Sequence, residues 1–316
     1  MGRKEKNLLL GESEQFENKR KIESDPFRQK GLILKNYAGY YYVQTSAGDL
    51  IECRIRGKMK EPLLTGDWVE MTVLKNQRGV IEKRLPRKNQ LYRPRIANSS
   101  LVLIVLAQNH PKPDLMMLDR LLLLVYYCGL KPCIVLNKSD LEASDTAAQI
   151  RSYYAACGIR VIAVSAKEKE GIAELQEVIK GEIAVLAGPS GVGKTSLLNQ
   201  LIPGKDERTQ TVSAKIGRGR HTTRHVELYP LPSGGWLADT PGFSVMELPG
   251  MPREELRNYF PDFRVWQQEC RFRDCLHYKE QDCAVIEAVQ EGKILELRHH
   301  DYVLMLEEII EKERNY

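Results

Sequence analysis

The sequence has no apolar run long enough to cross a bilayer. Its longest strongly apolar stretch free of charge, Leu121–Leu130, has ten residues, about half of the roughly 20 that a membrane helix needs. The N-terminal MGRKEKNLLLGESEQFENKRK has a basic start but no apolar segment behind it, so it does not read as a secretory leader, and a cytoplasmic chain is expected. Nor is there a disulfide framework. Of seven cysteines, Cys53, Cys128, Cys133 and Cys157 are scattered among apolar or strand-like neighbours, while Cys270, Cys275 and Cys283 cluster. In a cytosolic chain such a cluster suggests a metal before a disulfide. A composition of 42% apolar and 28% charged residues excludes a wholly disordered, collagen-like or coiled-coil chain.

What is present is enough for several modules: 316 residues exceed what one core usually organises, at roughly 150 residues per domain. The net charge of +5 conceals an asymmetry, because residues 1–95 hold 21 Lys and Arg against 12 Asp and Glu, and residues 96–316 hold 26 against 30. A basic front suits either a polyanion-binding module or a solvated face, and charge alone does not choose between them. Residues 1–28, rich in Lys, Glu, Asn and Gln, read as a mobile basic tail.

From Gly31 the chain turns to short alternating runs, GLILKNYAGYYYVQTS, DLIECRIRG, GDWVEMTVLK and GVIEKRLP, separated by turn signals. That pattern predicts a small antiparallel barrel over residues 29–95, similar to an OB-fold, with Arg54, Arg56, Lys58 and Lys60 as a basic face for RNA. Tyr40, Tyr41, Tyr42 and Trp68 are either exposed stacking surfaces or core, and consecutive tyrosines must alternate faces. Residues 96–246 then alternate apolar strands with helical patterns, the signature of a parallel α/β sheet covered on both faces.

After the strand EIAVLA comes Gly188-Pro189-Ser190-Gly191-Val192-Gly193-Lys194-Thr195-Ser196, followed by a helical LLNQL. This is G-x-x-x-x-G-K-[ST] in its required context: glycines let backbone N–H groups wrap the phosphates, Lys194 supplies a point charge, and Thr195 ligates Mg2+. Base choice falls to Asn137-Lys138-Ser139-Asp140 at the end of CIVLN. Guanine presents a ring N–H and an exocyclic amine side by side, which the one carboxylate of Asp140 can accept together. Adenine lacks that pair, and a site left unmatched in this way discriminates by about 10⁴ or more. Lys138 can lie along the base plane, Asn137 ties loops together, and Ser165-Ala166-Lys167 offers backbone N–H to the guanine carbonyl oxygen. Asp239-Thr240-Pro241-Gly242, after the strand GGWLAD, completes the set, Asp239 holding Mg2+ through water and Gly242 contacting the γ-phosphate. These are the motifs of a P-loop GTPase.

Their order is unusual, since the base-reading motifs precede the phosphate loop, so the domain is circularly permuted. Phe243 stands where many GTPases carry a water-orienting glutamine, which predicts slow intrinsic turnover. Between the phosphate loop and Asp239, the segment Lys215–Arg224 occupies the place of a switch loop. One of Thr222 and Thr223 should complete Mg2+ coordination, and His221 is the candidate catalytic residue orienting the attacking water; an RNA-touching basic loop is the alternative. Further on, Cys270-x4-Cys275-x-His277-x5-Cys283 supplies three thiolates and an imidazole, enough for one closed, structural Zn2+ site. It sits in a domain over 247–316 with a flanking helix from Ala284 to about Glu313, on which His299 and His300 read as surface or packing residues. Arg271, Arg273 and Lys279 are candidates for a second RNA-contacting surface.

Permuted motifs with a β-barrel in front and a cysteine cluster behind resemble the ribosome small subunit-dependent GTPase A family (RsgA, also YjeQ), over residues from about 29 to the C-terminus. The resemblance implies a GTP hydrolase, stimulated by the small (30S) ribosomal subunit, which binds that subunit and its 16S rRNA late in assembly and leaves after hydrolysis. It implies a monomeric cytoplasmic factor, with zinc on the four residues above and neither DNA nor membrane as partner. A different class, an RNA-binding translation or assembly factor in which GTP is only a structural clamp, shares these motifs, and multiple turnover separates the two.

Overall fold

A computed structural model describes residues 27–57, 59, 61–92, 94–202, 204, 226–243 and 247–314, with the backbone alone at 92 and 239–243. The expectations for the tail up to residue 26, Lys58, Lys60, His221, Thr222 and Thr223 therefore lie outside the described residues. The chain divides into two compact units after Lys88.

In the first unit, β1 (Arg28–Tyr37), β2 (Tyr40–Thr45), β3 (Leu50–Ile55), β4 (Trp68–Val73) and β5 (Arg78–Arg84) close a barrel in the order β1-β2-β3-β5-β4, the OB-fold arrangement. Arg28 belongs to β1, paired with Thr72 and bonded to Glu70 at 2.7 Å, rather than to a tail. Alternation places Ile33, Val43, Ile51, Cys53, Val69, Met71 and Ile81 inside. The three tyrosines divide as a strand demands: Tyr41 packs on this core, whereas Tyr40 carries the Arg54 guanidinium over its ring and Tyr42 the Lys35 ammonium. Buried Asp67 fastens the turn into β4 by accepting the Leu64 N–H at 2.7 Å and the Arg87 fork at 2.6 and 2.7 Å. The basic face is partly neutralised within the barrel, since Arg56 pairs with Glu82 at 3.0 Å and Arg84 with Glu61 at 2.6 Å.

Residues 89–95, grouped by sequence with the barrel, fall in the second unit, where β6 (Gln90–Tyr92) and β7 (Arg95–Ala97) form a hairpin. A six-stranded sheet follows, from β8 (Leu101–Ala107), β9 (Lys131–Asn137), β10 (Arg160–Ala163), β11 (Ile183–Ala187), β12 (Glu227–Pro230) and β13 (Trp236–Phe243). Its order is β10-β9-β8-β11-β13-β12, parallel except for β12. All seven residues of β8 and all five of β11 are buried, which is why these strands read as unbroken apolar runs rather than alternation. Helices α1 (Leu115–Tyr127), α2 (Asp145–Ala156), α3 (Ile172–Ile179) and α4 (Lys194–Leu201) connect the strands. Asp114 caps α1 and Ser144 caps α2 by accepting the N–H three residues on.

Sequence reading ended the strand GGWLAD at Asp239; the structure carries β13 through Phe243. The register jumps, however, from Val185↔Ala238 to Ala187↔Phe243, so two steps along β11 span five along β13 and the motif bulges from the ladder. Pro241, with no N–H to donate, belongs in such a break.

The expected single C-terminal helix is two, α5 (Ala284–Gln290) and α6 (Glu296–Arg314). Gly292, at φ +71°, takes the left-handed position that stops α5, with its N–H on the Val289 carbonyl and the Lys293 N–H on Ala288. This lobe does not have a core to itself: Leu123 of α1 packs with Phe260, Phe263, Val285, Tyr302 and Met305.

Candidate functional site

The loops that would hold a nucleotide leave the same end of the sheet, after β8, β9, β10 and β11. Phosphate-loop geometry demands two of its glycines. A Cβ on Gly188, at φ +129°, would lie 2.1 Å from the Val105 carbonyl oxygen, and one on Gly193, at φ +91°, would lie 2.3 Å from Asn137 Nδ2. The Lys194 ammonium donates to the carbonyls of Gly188 at 2.9 Å and Pro189 at 2.5 Å, and its pKa is lowered by partial burial. Thr195 and Ser196 stand exposed in the first turn of α4, where a hydroxyl oxygen is the hard donor that Mg2+ takes.

Asn137, 2% exposed, is the joint of the site. Its Nδ2 donates to the Val192 carbonyl at 2.8 Å, and its Oδ1 accepts the Ala166 N–H at 3.1 Å, so one side chain links the phosphate loop to the loop after β10. Lys138 donates to the carbonyls of Gly191 at 2.9 Å and His110 at 2.6 Å. The Ser139 N–H bonds to the Val164 carbonyl. Asp140 is exposed, and the buried Ser165 hydroxyl donates to its Oδ1 at 2.7 Å. That hydrogen bond is the chief reason its pKa is lowered, and it keeps an anion facing the place where base donors would arrive.

The expectation for Ser165, Ala166 and Lys167 is narrowed. Ser165 spends its N–H on the Glu170 carbonyl at 3.1 Å, and Ala166 spends its own on Asn137. The Lys167 ammonium pairs with Glu168 at 2.8 Å. Asp239 and Gly242 lie in the bulged end of β13, next to β11, whose following loop carries Gly188, Gly191 and Gly193.

A second cluster lies in the C-terminal lobe. The ligand atoms of Cys270, Cys275, His277 and Cys283 all fall within 4.8 Å of one another. Tetrahedral zinc with its usual bond lengths separates two sulfurs by about 3.8 Å and sulfur from nitrogen by about 3.5 Å. The cluster matches: Cys270 Sγ to Cys283 Sγ is 3.8 Å, and His277 Nδ1 lies 3.6 Å from Cys270 Sγ and 3.4 Å from Cys283 Sγ. Burial pushes His277 down to about 4, leaving a neutral imidazole free to bind a cation. Four ligands leave no open position, so the ion would hold the lobe together rather than act on substrate.

Two residues that support this knuckle escaped the sequence reading. The Glu280 carboxylate accepts the N–H groups of Leu276 and Tyr278 at 2.8 Å and of Lys279 at 3.1 Å, folding the chain around His277. Burial would raise its pKa, but these donors outweigh it, and the net shift is downward. His299, assigned only to surface or packing, bonds through Nε2 to the His277 carbonyl at 2.8 Å. An acid three residues after the histidine ligand was the available signal for Glu280; no sequence signal marked His299. Glu280→Gln is expected to weaken zinc about 10–100-fold, the usual effect of losing a group that orients a ligand, measurable by competition with a chromogenic chelator.

Comparison with known proteins agrees with the geometry. The RsgA GTPase family model matches residues 84–249, and that of the RsgA N-terminal domain matches 30–81. A protein of Carboxydothermus hydrogenoformans named small ribosomal subunit biogenesis GTPase RsgA is 47% identical, covering 90% of this chain and 99% of its own. One of the same name from Moorella thermoacetica is 44% identical, over 91% of this chain and 99% of its own. Among solved structures, Thermotoga maritima YjeQ aligns with a TM-score of 0.78 at 35% identity, covering 90% of this chain and 99% of that one. YloQ, described as a circularly permuted GTPase, also aligns at 0.78, with 34% identity and 92% and 97% coverage. The chain therefore belongs to the RsgA GTPase family and is a GTP-hydrolysing enzyme with a barrel in front of a circularly permuted GTPase domain.

Proposed function

We propose that this GTPase acts on the small ribosomal subunit, binding it and its 16S rRNA late in maturation and leaving after GTP hydrolysis. The partner is supported by the printed name of relatives that align over 99% of their own length. The nucleotide is supported by one observation above all: Asn137 joins the phosphate loop to the loop after β10, with Asp140 held ionised beside them.

In this proposal residues 29–95 contact RNA, with Arg54 on Tyr40 as a base-stacking platform, and 96–246 turn over GTP. Residues 247–316 form a zinc-bearing domain that offers Arg271, Arg273 and Lys279 to RNA. Asp140 reads guanine, Lys167 N–H meets its carbonyl oxygen, and Lys194 and the Gly242 N–H hold the β- and γ-phosphates. Mg2+, held by Thr195, Asp239 and Thr222 or Thr223, would neutralise charge on the leaving phosphate. His221 would orient water, because Phe243 cannot. The factor works as a monomer in the cytoplasm, with neither DNA nor membrane as partner; among the described residues no helix is long and apolar enough to cross a membrane.

The test is steady-state GTP hydrolysis by the purified protein alone, with 30S subunits, and with 50S subunits as control. Large stimulation by 30S alone is expected, reduced in His221→Ala with GTP binding intact. Tight GTP binding without multiple turnover in any condition would favour a protein in which the nucleotide is a structural clamp.

A further inference from the structure

Among the described residues the side chain that hydrogen-bonds the Asp140 carboxylate is Ser165, and Asp140 is itself exposed, so the placement of its backbone comes from elsewhere. The stretch after β8, Gln108–His110, supplies part of it, beside the Ser139 N–H on the Val164 carbonyl and the Leu141 N–H on the Lys138 carbonyl. Gln108, 6% exposed, donates its N–H to the Asn137 carbonyl at 2.7 Å and its side-chain Nε2 to the Leu141 carbonyl at 2.8 Å. Its own carbonyl accepts from the Ser144 N–H at 3.2 Å and the Ser144 hydroxyl at 2.9 Å, and its Oε1 accepts from Arg151 at 3.3 Å. Asn109 Nδ2 donates to the Glu142 carbonyl at 3.2 Å, and the His110 carbonyl receives the Lys138 ammonium. Gln108 thus grips the chain three residues before Asp140 and again one residue after it.

We infer that Gln108 is a positioning residue for base selection: its side-chain amide fixes the peptide at Leu141, and so aims the Asp140 carboxylate at the two guanine donors. The inference rests on the proposal that Asp140 reads guanine. Its chemistry is specific. A carboxylate shifted by a fraction of an ångström loses the pair of parallel hydrogen bonds that only guanine can make, while phosphate contacts made by the loop after β11 are untouched. The side chain borders a cavity of about 350 Å³ lined by Ala143, Ala147, Ala148, Arg151 and Ser152. Truncating it therefore enlarges an existing space, and the Leu141 carbonyl is left to water.

The experiment compares GTP with ITP, which lacks the exocyclic amine, as competitors of a fluorescent GTP analogue on the full chain with Mg2+. Wild type should prefer GTP about tenfold or more, one charged hydrogen bond being at stake. Gln108→Ala and Gln108→Glu should each weaken GTP by about tenfold and ITP, which keeps the ring N–H, by clearly less, pulling the ratio toward one while the melting temperature stays near that of wild type. Gln108→Glu keeps an acceptor for Arg151 but replaces the donor to Leu141 with an oxygen that repels its carbonyl, and it carries the test if Gln108→Ala does not fold. Variants that keep the wild-type ratio, or lose GTP and ITP equally, would overturn the role of Gln108. A wild type that does not distinguish GTP from ITP would instead overturn the reading of Asp140, and the inference with it.

Discussion

Removing the metal from the Cys270, Cys275, His277 and Cys283 cluster, or replacing Cys283 with alanine, is expected to unfold the C-terminal lobe. Apparent binding free energies of structural zinc in small zinc-finger peptides are about 10–16 kcal/mol at neutral pH, comparable to the whole stability of a domain, about 5–15 kcal/mol. The reason for so large an effect here is where the cluster sits. Cys275 and Cys283 are each 2% exposed and pack in one core with Phe263, Val285 and Tyr302. Without a cation, three thiols and an imidazole would converge in that core with no partner able to satisfy all four. Metal analysis should give about one zinc per chain in wild type and none in Cys283→Ala, with fast amide exchange across residues 253–314 in the variant. Since Leu123 of α1 shares the core, exchange in α1 should rise too, whereas β11 and α4, packed in a separate cluster through Leu186, Leu197 and Leu198, should stay protected. Full protection of the lobe after complete loss of zinc would refute a structural ion.

Arg298→Met is the second large effect, with about 3–5 kcal/mol of stability expected to be lost, the usual result of breaking a buried ion pair from one side. The Arg298 side chain, 2% exposed, forks onto Asp262 with two bonds of 3.0 Å and reaches Asp119 of α1 with its remaining arm. Tyr153 donates to Asp262 at 2.8 Å and Tyr154 to Asp119 at 2.5 Å, so α2 joins the same network. Asp119 and Asp262 share one guanidinium with Asp301 close by, and the three carboxylates do not all ionise easily. Burial opposes the charge on Asp262, but Arg298 outweighs it and the net shift is downward; burial wins at Asp119, pushed up to about 7, and raises Asp301 as well.

The consequence for pH follows from the sign. A carboxyl whose folded pKa lies above its unfolded value of about 4 binds its proton more tightly in the native state. Its contribution is complete below about pH 4 and is lost as pH rises through about 7, with a slope of at most about 1.4 kcal/mol per pH unit. Asp119→Asn, which keeps an acceptor for Tyr154 and Arg298 but cannot ionise, should flatten the fall in stability between pH 5 and 8. Denaturant titrations at pH 5, 6, 7 and 8 would measure it; an unchanged pH profile in Asp119→Asn would show that the native carboxyl titrates no higher than the unfolded one.

Much of the molecule was legible because its signals are local. Apolar runs bounded by turns gave the sheet, since strands buried on both faces leave no polar alternation to confuse them, and barrel strands of period two gave the front unit. Gly188 to Ser196 and Asn137 to Asp140 stand out in the sequence as candidate nucleotide-binding segments, because phosphate wrapping and a base-facing carboxylate demand particular residues at short, fixed spacing. Cys270, Cys275, His277 and Cys283 lie within fourteen residues and announce their chemistry in the same way.

What the tertiary structure alone decided involves partners far apart in sequence. That Ser165 and Ala166 spend their N–H groups inside the protein, that residues 239–242 bulge from β13, and that α5 and α6 are separate depended on register and on one left-handed glycine. Arg298 meeting Asp119 spans 179 positions, and Gln108 holding Leu141 spans 33. Nothing in the local spelling of an arginine or a glutamine shows which carboxylate or carbonyl it will find. Packing brings those groups together, and in a water-excluded setting an unpaired charge or amide is too costly to leave unmatched, so the fold chooses the partner that the sequence does not name.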